Sequence, residues 1–196
     1  MDLTEGTERE KEIRSKKMML WFGIGSLVMT FAGLLSAFIV SSKREDWFTD
    51  FELPQAFLIS VFVIVASSVT MVLAKRAMKQ NNIGQTSLFL VITFVLGVYF
   101  IYNQFNGFSD FITQGYNFTG PTSNITVSFI YVIAVVHILH VVVGLVSLLV
   151  VLYKNFNKRY NSDDMLGIEL AAHFWHFIDV LWIALFLFLY FFRYLI

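Results

Sequence analysis

Residues 127–153 read VSFIYVIAVVHILHVVVGLVSLLVVLY, with no acidic or basic residue except His137 and His140 and with no proline. As an α-helix these 27 residues rise about 40 Å, more than the ~30 Å of hydrocarbon in a bilayer. The run is too long and too uniform for a barrel strand, which alternates apolar and polar residues. A helix satisfies its own backbone hydrogen bonds, and lipid offers no substitute for them. Four further runs have the same character: 18–40, 55–74, 86–104 and 170–192. The fold class is therefore an all-α integral membrane protein with five transmembrane helices. Residues 1–17 form a polar tail ahead of the membrane domain, 18–196.

Composition agrees. Of 196 residues, 57% are hydrophobic, 17% aromatic and 14% charged, whereas a soluble domain carries about 25% charged residues. Net charge is zero, so no nucleic-acid partner is implied. There is no cysteine, which excludes disulfides, thiolate metal sites and cysteine nucleophiles. Both prolines, Pro54 and Pro121, lie outside the apolar runs.

The loops set an orientation. Eleven of the 14 Lys and Arg residues fall in the N-terminal tail and the second and fourth connections, as in Lys16, Lys17, Lys75, Arg76, Lys154 and Arg159. Lys43, Arg44 and Arg193 lie on the other side, with Glu45, Asp46, Asp50, Glu52 and Asp110. The positive-inside rule predicts a cytoplasmic N-terminus and a C-terminus on the outer, periplasmic face. Two N-x-T tripeptides, at Asn117 and Asn124, are of a kind common by chance.

Ionisable groups inside a membrane are costly and mark sites. The first three spans contribute almost none. Ser67, Ser68, Gly23, Gly25, Ala32 and Gly33 read there as close helix–helix contacts. All four histidines lie on the last two spans: His137 and His140, then His173 and His176, with Glu169 and Asp179 around the second pair. Glu169, His173 and His176 share one helical face within about 60°. This spacing fits an interhelical polar network of His137, His140, Glu169, His173, His176 and Asp179 better than a metal site. A ferritin-type di-iron centre needs Glu-x-x-His on two helices, and the fourth span has no carboxylate. Two alternatives stay open: a small cytochrome b-like carrier with the four histidines as haem ligands, and a proton-coupled transporter relaying through Glu169 and Asp179. Trp175 and Trp182, seven apart, are expected to pack against lipid or a partner subunit.

Gly167-Ile-Glu169-Leu-Ala-Ala-His173-Phe-Trp175-His176-Phe177-Ile-Asp179-Val-Leu-Trp182 resembles the last-helix signature of subunit III of haem–copper terminal oxidases, the cytochrome c and quinol oxidases. His137-Ile-Leu-His140-Val-Val-Val-Gly144, Leu96-Gly97-Val98-Tyr99-Phe100 with Gln104, and Phe31-Ala32-Gly33 are similar to further family segments. The resemblance is to the short, five-helix form. It implies a non-catalytic subunit of a proton-pumping oxygen reductase, with no catalytic, cofactor or metal residue of its own. It also implies a direct partner, the haem- and copper-bearing subunit I, together with other oxidase subunits and a respiratory supercomplex. The implied roles are to stabilise subunit I, bind phospholipid and support proton uptake, in a bacterial cytoplasmic membrane. Lys154 is the expected lipid-phosphate contact, with Trp175 and Trp182 beside lipid. Two departures stand out. Leu27 and Gly107 occupy positions where family members often carry glutamate.

Overall fold

The computed structural model describes residues 7–48, 53–120, 123–162 and 164–195. Glu5, Asp50, Glu52, Pro121 and the side chain of Arg193 lie outside the described residues. Five helices are present: α1 Glu8–Ser41, α2 Gln55–Lys79, α3 Ile83–Thr113, α4 Ile125–Phe156 and α5 Leu166–Leu195. Each contains a segment long and apolar enough to cross a membrane. No strand occurs among the described residues, and one isolated bridge joins Asn117 to Ser123.

Every helix outruns the apolar stretch that announces it, for local reasons. α1 begins ten residues before Met18 because Thr7 and Glu10 form a capping box. The Glu10 amide donates to Thr7 Oγ1 at 3.3 Å, and the Thr7 amide donates to Glu10 Oε2 at 2.8 Å. Both satisfy amides that a helix start leaves open. α3 runs past Gly107 to Thr113 and stops only where Gly115 takes φ +89°, a left-handed value that glycine adopts without strain. α4 starts where the Asn124 side chain accepts from the Thr126 amide at 2.8 Å. The neighbouring Thr126 hydroxyl accepts from the Phe48 amide at 3.0 Å, which ties the α1–α2 connection to the head of α4. That connection also carries a two-pronged Arg44–Asp46 ion pair, 2.8 and 3.0 Å. The Arg44 guanidinium holds the Asp46 carboxyl below the usual carboxylate range.

The buried positions repeat in alternating steps of three and four. On α2 they include Phe57, Ser60, Ile64, Ser67, Met71 and Ala74. On α3 the sequence Leu90, Thr93, Gly97, Phe100, Gln104 and Gly107 keeps the same rhythm. On α5, Ile168, Trp175, Trp182 and Leu189 fall seven apart. A 3.5-residue repeat is the period of left-handed bundles with interdigitating side chains. Helices α2 to α5 accordingly form a ring in which α2 packs on α3, α3 on α4, α4 on α5 and α5 back on α2. α1 stands outside the ring against α4 and α5. It buries a single seam, Ile24, Phe31 and Phe38. Gly23, Gly25, Ala32 and Gly33 are therefore not the close contacts the sequence suggests. All four are exposed, and a Cβ at any of the three glycines would meet nothing within 4 Å.

Polar clips join each neighbouring pair in the ring. Asn103 donates to the Ala56 carbonyl at 2.7 Å and Thr70 meets Thr93 at 2.8 Å, linking α2 and α3. Asn155 reaches Ser87 at 2.8 Å, and the Tyr131 hydroxyl donates to the Phe108 carbonyl at 3.1 Å, linking α3 and α4. Lipid provides no hydrophobic drive between helices, so close packing and such bonds carry the association.

Gly107 lies directly beneath the Phe57 ring, where an added Cβ would overlap two ring carbons. A longer side chain at this position needs that ring displaced. Gly107→Ala is expected to lower stability by about 1–3 kcal/mol through overpacking, measured as a lower midpoint of thermal unfolding in detergent. Gly25→Ala, on the open face of α1, should leave the midpoint unchanged.

Candidate functional site

The centre of the ring is a single indole. Trp175 on α5 is 2% exposed. A Cβ at Gly97 on α3 would stand 2.7 Å from its Cη2, and one at Gly144 on α4 would stand 3.0 Å from its Cε3. Its Nε1–H donates to Ser67 Oγ on α2 at 2.8 Å. One side chain thus touches all three other helices of the ring. The two glycines are needed because only a bare backbone leaves room for the ring's flat faces and tip.

Trp182, two turns on, is also 2% exposed. Phe57, Phe100 and His137 surround it, with ring centroids at 5.8, 5.3 and 4.9 Å. The expectation that Trp175 and Trp182 face lipid does not match these positions. The structure places both indoles inside the bundle. A helix that is apolar all round gives no hydropathy signal of which face turns inward.

The polar residues of α4 and α5 take separate partners. His137, fully buried, donates from Nε2 to the Ile178 carbonyl of α5 at 3.1 Å. A carbonyl only accepts, so this bond fixes the proton on Nε2 and leaves Nδ1 as the ring's second polar atom. His140 bonds the Val136 carbonyl of its own helix at 2.7 Å, and its ring lies 5.9 Å from Phe31 of α1. His173 bonds the Glu169 carbonyl at 2.7 Å. His176 Nδ1 shares a 2.6 Å hydrogen bond with Ser68 Oγ on α2. Glu169 sits between Lys17 of α1 at 3.6 Å and Lys75 of α2 at 4.0 Å.

The six side chains named from sequence therefore do not bond to one another. Five of them instead link their helix to another neighbour or to its own backbone, and among the described residues Asp179 does neither. The two histidine pairs are also turned apart, His137 toward the core and His140 toward α1, His176 toward α2. Among the described residues, no three His, Asp or Glu side chains converge as metal ligands would.

Several interior polar atoms have no hydrogen-bond partner among the described residues: both Asp179 oxygens, His137 Nδ1, Trp182 Nε1 and the Gln104 amide. Asp179 is 2% exposed. Ser68 and Asp179 line one surface hollow, but Ser68 directs its hydroxyl to His176. Lys154 is exposed in the last turn of α4, and Leu27 is half-buried on α1.

Sequence reasoning named four small residues without finding what they face. Ser68 and Ser67 are the α2 partners of His176 and Trp175, and Gly97 with Gly144 forms the indole's seat. The signal lay in small residues set at bundle spacing opposite one large aromatic.

Fold and interior together define a polytopic helical membrane protein in which several buried polar side chains join neighbouring helices. The profile of the family described as cytochrome c oxidase subunit III matches residues 13–194. Cytochrome c oxidase subunit 3 of Spodoptera frugiperda is 32% identical over 144 residues, which covers 73% of this chain and 91% of that one. The Aedes aegypti protein of the same name is 33% identical over 144 residues, covering 73% of this chain. This chain spans about half the length of the Aedes relative, 51%. A Mycobacterium tuberculosis protein described as probable cytochrome c oxidase subunit 3 is 28% identical over 202 residues, covering 97% of each chain. The chain belongs to the cytochrome c oxidase subunit III family, and hence to the components of a respiratory oxidase complex.

Trp175→Phe keeps most of the ring's volume and removes the bond to Ser67, at an expected cost of about 0.6–2 kcal/mol. Trp175→Ala opens the centre of the bundle and is expected to cost about 3–5 kcal/mol. Unfolding of the two variants in detergent, followed by tryptophan fluorescence and circular dichroism, measures the difference. Equal losses would contradict the seat described here.

Proposed function

We propose that the chain is the non-catalytic subunit III of a proton-pumping haem–copper oxygen reductase in a bacterial cytoplasmic membrane. It stabilises the haem- and copper-bearing subunit I, binds phospholipid and supports proton uptake. The electrons come from cytochrome c or quinol through other subunits. The observation that carries this reading is the 97% mutual coverage with the mycobacterial relative. That match extends the family assignment to a five-helix chain of this length.

The interior supports a scaffold role. His137, His176 and Trp175 hold helix pairs together, while His140 and His173 bond to their own helices. Lys154, exposed at the end of α4, is suited to a lipid phosphate at the membrane boundary.

The basic end of the bundle faces the cytoplasm in this reading. Contacts of Glu169 with Lys17 and Lys75 and of Arg9 with Asp164 gather the basic residues of α1 and α2 at the start of α5. The positive-inside rule then fixes the side. The cysteine-free sequence makes this simple to check. A single cysteine at Glu45 should react with a membrane-impermeant maleimide in intact cells, and one at Ser162 only after the membrane is opened. The reverse pattern would overturn the orientation.

A tagged chain purified in mild detergent is expected to bring down a haem-containing partner with oxidase activity. Deleting the chain should leave haem content per subunit I intact and hasten loss of activity during turnover. Stoichiometric haem retained by this chain alone would refute the proposal.

A further inference from the structure

α3 has two faces. The buried one, with Leu90, Thr93, Gly97, Phe100 and Gln104, looks into the ring. The opposite one keeps the same steps of three and four through Leu88, Val91, Val95, Val98, Tyr102 and Phe105, all exposed. Tyr99 stands beside this outer seam at 46% exposure, and Tyr102 stands in it at 61%. Their rings stack, with centroids 6.3 Å apart and planes inclined by 30°. Neither hydroxyl has a hydrogen bond among the described residues.

Their depth is what matters. Gln85 and Asp110 are exposed near the two ends of α3, about 38 Å apart along the helix axis. Tyr99 lies about 2 Å from the midpoint between them, and Tyr102 about 7 Å. Tyrosines collect at the headgroup level, where the hydroxyl meets water. These two are held away from it. Helical side chains lean toward the N-terminus of their helix, so both phenols lean from the Asp110 end back toward mid-span. Between Gln85 and Ser109 every other exposed side chain of α3 is apolar. Hydrocarbon offers an O–H no acceptor, and an unpaired hydroxyl there is costly.

The interior shows how this fold accommodates a large aromatic ring with a polar tip. Trp175 fits against Gly97 and Gly144 and donates to Ser67. We propose that the outer face of α3, from Leu88 to Phe105, docks a transmembrane helix of another subunit of the oxidase complex. That helix sets small residues, with hydroxyl or free carbonyl oxygens among them, against Tyr99 and Tyr102, and the two phenols donate to those oxygens. Lipid fails as the occupant because it has no acceptor at this depth. A second copy of the chain fails on shape. A two-fold axis along the membrane normal would bring Tyr99, Tyr102 and Phe105 each against its own copy, and membrane helices pack closely through small residues. The inference rests on reading the chain as an oxidase subunit.

The test uses the whole complex, with the photoreactive p-benzoylphenylalanine in place of Val98. Membranes are irradiated, and the complex is then purified in mild detergent through the tagged chain. The probe should join one transmembrane peptide of one oxidase subunit, identified by mass spectrometry. The same probe at Val143, on the exposed side of α4, should not reach that peptide. Tyr99→Phe with Tyr102→Phe keeps both rings and removes both hydroxyls. It should lower retention of that subunit through a detergent wash by roughly five- to tenfold, as the loss of two interhelical hydrogen bonds implies. Tyr153→Phe, near the end of α4, should not change it.

Crosslinks to lipid alone, crosslinks to a second copy of the chain, or full retention of the partner by the double variant would each overturn the proposal. Should the double variant fail to accumulate, the crosslink from position 98 in the otherwise unaltered chain decides. Haem in the same preparation reports separately on the oxidase reading. Haem present with lipid-only crosslinks faults this face of α3, whereas a haem-free preparation refutes the oxidase reading and this proposal with it.

Discussion

The bundle depends on how Trp175 is seated. An indole at the centre of four helices must find flat space on two sides and an acceptor for its N–H. Gly97, Gly144 and Ser67 supply these from three different helices. The three conditions hold together only in one register of each helix against its neighbours. A slip of one turn on α3 would bring Phe100 or Thr93 opposite the ring in place of Gly97. Association in lipid lacks the hydrophobic term that drives soluble cores. Shape at this position therefore fixes the arrangement that apolarity alone leaves open.

Around that centre the polar residues work in pairs across helix boundaries. Thr70 with Thr93, Asn103 with Ala56, Asn155 with Ser87 and His137 with Ile178 link successive neighbours, and Ser68 with His176 closes the ring. Each such bond contributes modestly, about 0.6 kcal/mol on average. Their value is directional, because an amide or imidazole satisfied in one register is unsatisfied in the next, and an unmade buried bond costs about 1–3 kcal/mol. Among the described residues, Asp179, Gln104 and Trp182 retain polar atoms with no such partner.

Much of this was legible before any coordinates. The five spans follow from uninterrupted apolar runs, since a membrane helix must be apolar for its full length. The motif at Gly167–Trp182 carried the family. Ends and faces were harder. Thr7-x-x-Glu10 is a capping signature readable in the sequence, yet charge made Glu8–Lys17 look like a tail. The third apolar run ends at residue 104, but α3 continues through Gly107 to Thr113, and Gly115 holds the turn. The inward placement of Trp175 was hidden because a tryptophan serves equally well at a lipid interface or in a core. What separates the two is the facing residue, and pairing Trp175 with Gly97 and Gly144 requires contacts far apart in sequence.

α1 packs on α4 and α5, burying Ile24, Phe31 and Phe38, and adds ion pairs from Lys17 to Glu169 and from Arg9 to Asp164. This has a consequence in time. Helices enter the membrane in chain order, so α1 is made before α4 and α5 and must wait for them before either of its neighbours in this bundle exists. The 83 residues between Ser41 and Ile125 take roughly 4–17 s to synthesise at ~5–20 residues per second. During that interval α2 and α3 can already pair with each other, while α1 has only lipid and the insertion machinery beside it. α1 enters ahead of α2 and α3 yet docks after they can pair, so its docking is paced by the arrival of α4 and α5.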